Sequence, residues 1–188
     1  YGDLDLSILD ELPPGRTPVL TYAITSDKRP RALNFLRRHA AEGRQSYIIC
    51  PMIDWNPNFP VIDLESYYKD LRKAFPEKYE IRILHGKMKA AEKEQIMQEF
   101  QENKVQILLS TTVVEVGVNV PNATVMLIEN AERFGMSQLH QLRGRVGRGS
   151  RRSYCFLILD GGSEIAEKRG QIMEASSDGF FIAEEDLK

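Results

Sequence analysis

Cysteine is scarce in this chain, two residues in 188, and histidine is hardly commoner at three. Cys50 and Cys155 lie far apart inside the apolar runs YIIC and YCFLIL, without CxxC spacing. That pattern predicts buried free thiols and argues against a disulfide framework or a zinc ribbon. The histidines are scattered and show no metal-ligand spacing, so no metal site is expected. Net charge is low too, at −2. A histone-like protein that holds nucleic acid by bulk charge is therefore excluded, although a local basic patch is not. Long apolar runs are missing: none approaches the ~18 residues of a membrane span, and no leader-like segment opens the chain. A cytoplasmic protein with no membrane partner is the expectation. Tyr1 stands where a methionine would start a gene product, so a piece of a longer chain is expected. Repeats and low-complexity tracts are also lacking.

What is present is an ordinary globular composition, 42% apolar and 28% charged, long enough to bury a real core. Residues 1–18, with Pro13, Pro14 and Gly15, read as a connector. Apolar runs then alternate with helix-period segments. VLTYAIT (19–25), SYIIC (46–50), EIRILH (80–85), VQILLS (105–110), TVMLIE (124–129) and SYCFLIL (153–159) predict strands. Segments 30–43, 63–75, 89–104 and 137–148 predict helices, with Pro30 in a first turn and Asp63 and Ser137 as caps. Residues 52–62 predict a loop in which Trp55 either folds onto its own domain or meets a partner. Strands alternating with helices imply an α/β domain over 19–160, with a mostly parallel sheet and helices on both faces. Residues 161–188 predict a helical extension outside the sheet.

The segment QLHQLRGRVGRG (138–149) is the oddest part of the chain. Read as one helix, it carries Gly144 and Gly147 in its interior at ~1 kcal/mol each, so close approach of another surface is expected to compensate. Gln141, Arg145 and Arg148 fall at i, i+4 and i+7 and share one face, while Arg143 points roughly 160° away. Paired guanidiniums suit a transferring phosphoryl group, because their planar forks match phosphate oxygens. A solvated basic face near a helix end is the plainer alternative. A second candidate is Ser110-Thr111-Thr112, which ends a buried strand and offers hydroxyls and backbone N–H groups to an oxyanion, or simply caps a helix. Gly117 and Pro121 bracket the return to the next strand. Both segments are expected beyond the carboxyl ends of the strands, where such folds place ligands. No phosphate-cradling loop is present: Gly86-Lys87 lacks both the glycine five residues earlier and the following Ser or Thr.

Thr111 six residues before Gly117, followed by Gln141-x-x-Gly144-Arg145-x-x-Arg148, resembles motifs V and VI of the superfamily 2 helicases. The whole block 110–149 is similar to the second motor lobe of the branched-DNA translocases of that superfamily. The transcription-repair coupling translocases are close kin, and a freestanding nucleic-acid module is a further rival. The resemblance implies a RecA-like lobe that closes with a first lobe on ATP and Mg²⁺, both held mainly by that first lobe. Arg145 and Arg148 would reach the γ-phosphate and Gln141 would set the interlobe geometry. Gly117, Gly144 and Asn119 would lie on the nucleotide side, with Asn119 replacing the family's usual Asp. Thr111 and Thr112 would touch a DNA phosphate. Gly86 and Lys87, after His85, would supply a second phosphate contact, although a plain strand–helix turn explains them nearly as well. The implied partners are branched or duplex DNA, the first motor lobe and a wedge-like DNA-binding domain of the same chain. The implied role is ATP-driven remodelling of forks and Holliday junctions in repair and recombination, close to the nucleoid. The lobe alone would be inactive. The tail resembles the start of a translocation-motif helical hairpin.

Overall fold

In a computed structural model, the described residues are 19–51, 64–111, 120–147, 149 and 151–159. The connector 1–18, the loop with Trp55, the cap Asp63 and the extension 161–188 lie outside them, as do Thr112, Gly117, Asn119 and Arg148.

Among the described residues, six strands form one sheet: β1 (Val19–Thr25), β2 (Gln45–Cys50), β3 (Ile81–Leu84), β4 (Ile107–Thr111), β5 (Ala123–Ile128) and β6 (Ser153–Leu159). Their order is β1-β6-β5-β2-β4-β3 and every pairing is parallel. The three central strands β5, β2 and β4 are buried along their whole length. That is why they read as unbroken apolar runs rather than alternating ones.

Among the described residues, four α-helices cover the sheet: α1 (Arg29–Ala41), α2 (Leu64–Ala74), α3 (Ala90–Gln101) and α4 (Met136–Arg143). Successive strand residues face opposite sides, and the core divides accordingly. Ala32, Leu36 and Ala40 of α1 and Leu71 of α2 pack with Ile48, Cys50, Ile107, Leu109 and Leu127. Ile96, Met97 and Phe100 of α3 and Leu139 and Leu142 of α4 pack with Tyr47, Ile49, Leu108, Met126 and Cys155 on the other face. The expected α/β sheet with helices on both faces is therefore present.

The register defines two edges. At the carboxyl edge Cys50 pairs with Thr111, and Glu129, just past β5, donates its backbone N–H to the Ile49 carbonyl at 2.8 Å. At the amino edge Ser153 pairs with Val19, and Ser46 with Ile107. Gln45 stitches this edge together. Fully buried, it donates to the carbonyls of Val105 (2.7 Å) and Phe100 and accepts from Asn122 Nδ2 at 3.0 Å.

Candidate functional site

The candidate residues divide between the two edges. Thr111 ends β4 at the carboxyl edge, 5% exposed, and its Oγ1 is buried with no hydrogen-bond partner among the described residues. An unsatisfied buried hydroxyl costs about 1–3 kcal/mol, so an oxyanion beside it fits the donor left over. Gly86 and Lys87 form an exposed turn after β3 at the same edge, where Lys87 donates its backbone N–H to His85 Nδ1 at 3.2 Å. Thr111 and the Gly86-Lys87 turn thus follow adjacent strands, as β3 and β4 pair directly.

The arginine segment differs from the expectation in three respects. First, it is not a single helix to 148. α4 ends at Arg143, Gly144 caps it, and Arg145 and Val146 close tight turns onto the Leu142 and Arg143 carbonyls. Gly147 then takes φ +80, a conformation that favours glycine. The glycines therefore stop the helix instead of sitting strained inside it, and Gln141 and Arg145 do not share one helical face. Gln141 is exposed on α4 and Arg145 half-buried in the turn. The apolar period continues through Leu139, Leu142 and a fully buried Val146, which is why the sequence pattern overruns the helix.

Second, Arg143 points into the core. It is 2% exposed and donates from Nη1 to the Thr21 hydroxyl at 3.0 Å, across to β1. Burial pushes the neighbouring Cys155 thiol up to about 12, with the guanidinium pulling against that shift.

Third, the turn lies at the amino edge, not beyond the carboxyl ends. A helix that follows a strand at its carboxyl end runs back toward the amino edge before the next parallel strand can begin. Gly147 donates its N–H to the Ser153 hydroxyl at 3.0 Å, at the start of β6. A Cβ on Gly149 would fall 2.8 Å from the Pro121 carbonyl oxygen, just ahead of β5. Close approach thus does explain a glycine, but it is Gly149 against Pro121. The four steps of β4 separate the two edges by about 13 Å.

A group that the residue patterns did not single out also occupies the carboxyl edge. Glu129 is fully buried and accepts from Arg29 Nε and Nη2, both at 2.7 Å, and from the Tyr67 hydroxyl. Burial raises the Tyr67 phenol well above its ordinary value, and the carboxylate adds to the shift. Burial likewise pushes the Cys50 thiol up, as does Glu129. The available signal was a carboxylate ending an all-apolar strand, which requires a buried cation nearby. No group of three or more metal-ligating side chains occurs among the described residues.

Residues 27–150 match the model of the helicase conserved C-terminal domain. The chain belongs to that family. Over its full length, the helicase domain is 53% identical to the ATP-dependent DNA helicase RecG of Synechocystis sp. and 48% identical to that of Bacillus subtilis. It spans 23% and 28% of those relatives. It is also similar to a solved structure of RecG bound to a three-way DNA junction, with a TM-score of 0.79 and 43% identity. That likeness covers 95% of this chain and 23% of the other. Domain 2 of the DEAD-box helicase Mss116p matches at TM-score 0.62 and 15% identity, covering 83% of this chain and 59% of that one, which is likeness of fold alone. The sheet is thus the RecA-like lobe of helicase second domains.

Proposed function

We propose that the helicase domain is the second motor lobe of a RecG-type, ATP-dependent translocase acting on branched DNA, with DNA held at the carboxyl edge and nucleotide met at the amino edge. The full-length likeness to RecG proteins supports the parent activity. The observation that carries the division of labour is Gly149 seated against Pro121. It ties the arginine turn to the end of the segment that begins at Thr111.

Arg145 and Arg148 act as the cations that stabilise charge on the γ-phosphoryl group, with Gln141 setting the interlobe geometry. Gly117, Asn119 and Gly144 lie on the nucleotide side. Thr111, Thr112, Gly86 and Lys87 hold DNA phosphates. ATP bound with Mg²⁺ on the first lobe supplies the phosphoryl group, and this chain contributes cations and grip. The chain alone therefore hydrolyses no ATP. The likeness to RecG favours this parent over the coupling translocases and over a freestanding module.

The test is Arg148→Ala in the intact parent enzyme. Turnover should fall roughly 10³-fold or more, as removal of an arginine finger does, with much less change in ATP affinity. Arg148→Lys should rescue poorly, because an ammonium does not reproduce the fork. DNA binding without nucleotide should survive. Near-normal turnover with lost DNA binding would instead make the turn a phosphate-backbone patch.

A further inference from the structure

α1 is cationic in a chain that is not. Between Asp27 and Glu42 it carries Arg29, Arg31, Arg37 and Arg38 and no carboxylate, against a net charge of −2 for the whole chain. With α2 it walls an open groove of about 780 Å³, lined among others by Ser26, Asp27, Arg29, Arg31, Arg37 and Lys73. Arg29 is occupied by Glu129, and Asp27, the groove's own carboxylate, accepts from Thr25. Arg31, Arg37 and Lys73 are exposed and have no ion-pair partner among the described residues, and Arg37 donates only to the Asn34 side chain.

We propose that this groove is a second DNA-backbone site, which holds the phosphates of a duplex arm leaving the carboxyl edge. The proposal rests on the reading of the parent as a DNA translocase. Two features favour phosphodiester over an acidic polypeptide. One end of the groove lies at the carboxyl edge, where Ser26 follows β1 directly. That edge already carries Thr111 and Lys87, and its six strands span roughly 24 Å from β3 to β1. Arg29 to Arg37 covers about 12 Å of helix axis, the rise of three to four base pairs. Glu129 fixes Arg29 from beneath and leaves the outer cations to the ligand.

The experiment is the triple variant Arg31→Ala/Arg37→Ala/Lys73→Ala in the intact enzyme, titrated with a branched DNA carrying a duplex arm between 50 and 200 mM salt. Each lost phosphate contact removes about 0.9 from the slope of log affinity on log salt, so the slope should flatten by about 2.7. The affinity lost across that salt range should shrink by about 40-fold. A charge-keeping variant, Arg31→Lys/Arg37→Lys/Lys73→Arg, should retain the slope. Lys78→Ala/Lys93→Ala/Lys104→Ala, outside the groove, should retain it as well. An unchanged slope in the alanine triple overturns the proposal, whether or not affinity falls, and so does a flattened slope in the charge-keeping variant or the control. Failure of the motor reading looks different: wild-type enzyme would then show no salt-dependent DNA binding, or Arg148→Ala would leave turnover intact.

Discussion

Arg143→Ala distinguishes a core guanidinium from a surface one. The side chain is 2% exposed and its bond to Thr21 runs at 3.0 Å. Hydrogen bonds to charged groups contribute about 1.5–3 kcal/mol. Truncation removes that bond, takes the donor away from a buried Thr21 hydroxyl, and leaves unfilled the volume of a long stem. Relief of a buried charge offsets part of this. The net expectation is a loss of about 3 kcal/mol. With a slope of about 2–3 kcal/mol per molar urea, the midpoint should drop by roughly 1–1.5 M. The assay is urea denaturation of the chain followed by far-UV circular dichroism. Thr21→Val and the double variant complete a cycle whose coupling should reach about 1 kcal/mol or more. Arg143→Met keeps most of the volume and should cost clearly less than alanine. If Arg143→Ala stays within about 0.5 kcal/mol of the parent chain, the range of surface substitutions, the buried placement of this arginine is refuted.

Alkaline pH should weaken the fold. Tyr67, Cys50 and Cys155 keep their protons in the folded chain to higher pH than unfolded groups do, so their contribution is complete below about pH 8.5. It then falls above that pH by up to ~1.4 kcal/mol per unit for each group. Equal urea midpoints at pH 7 and pH 10 would contradict this. At the acid end, burial lowers His39, so stability should also decline as pH falls below about 6.5, where the unfolded imidazole takes up a proton first. Gly149→Ala should force the turn off Pro121, since backbone cannot yield as a side-chain tip does, at a cost of about 1–3 kcal/mol. In the intact enzyme it should lower ATP turnover tenfold or more while sparing nucleotide-free DNA binding. Unchanged turnover would sever the arginine turn from the Pro121 side.

The strands were legible because parallel strands covered on both faces must be apolar throughout, and YIIC, ILLS and TVMLI are nearly so. Helix ends were less legible. Leu139, Leu142 and Val146 keep a helical period past the point where the backbone has left the helix, and only the left-handed Gly147 marks the break. Periodicity reports which side chains reach the core, and a tight turn meets that demand as well as a helix does. Arg143 was placed on the correct side, away from Gln141, yet that side is core and not solvent. Nothing in its immediate neighbourhood announces Thr21, 122 residues away. Arg29 and Glu129, 100 residues apart, escaped for the same reason.

The two-edge arrangement follows from topology more firmly than from any motif. β4 and β5 flank β2 and run parallel to it, so the chain leaving Thr111 at the carboxyl edge must return the length of the sheet to enter β5 at Ala123. α4 makes the same journey on its way from β5 to β6, which delivers the arginine turn to the amino edge whatever its residues are. The proposed DNA contact at Thr111 and the proposed nucleotide contact at the turn are therefore about 13 Å apart along the strands, too far for one phosphate group to touch both. Coupling between them requires an element anchored at both ends. One anchor is β4, buried throughout. The other is Asn122, bonded to Gln45 and to the Gly43 carbonyl, with Pro121 pressed against Gly149 beside it. Any displacement of the turn is thus met first by Pro121, at the end of a segment whose other end carries the Thr111 hydroxyl.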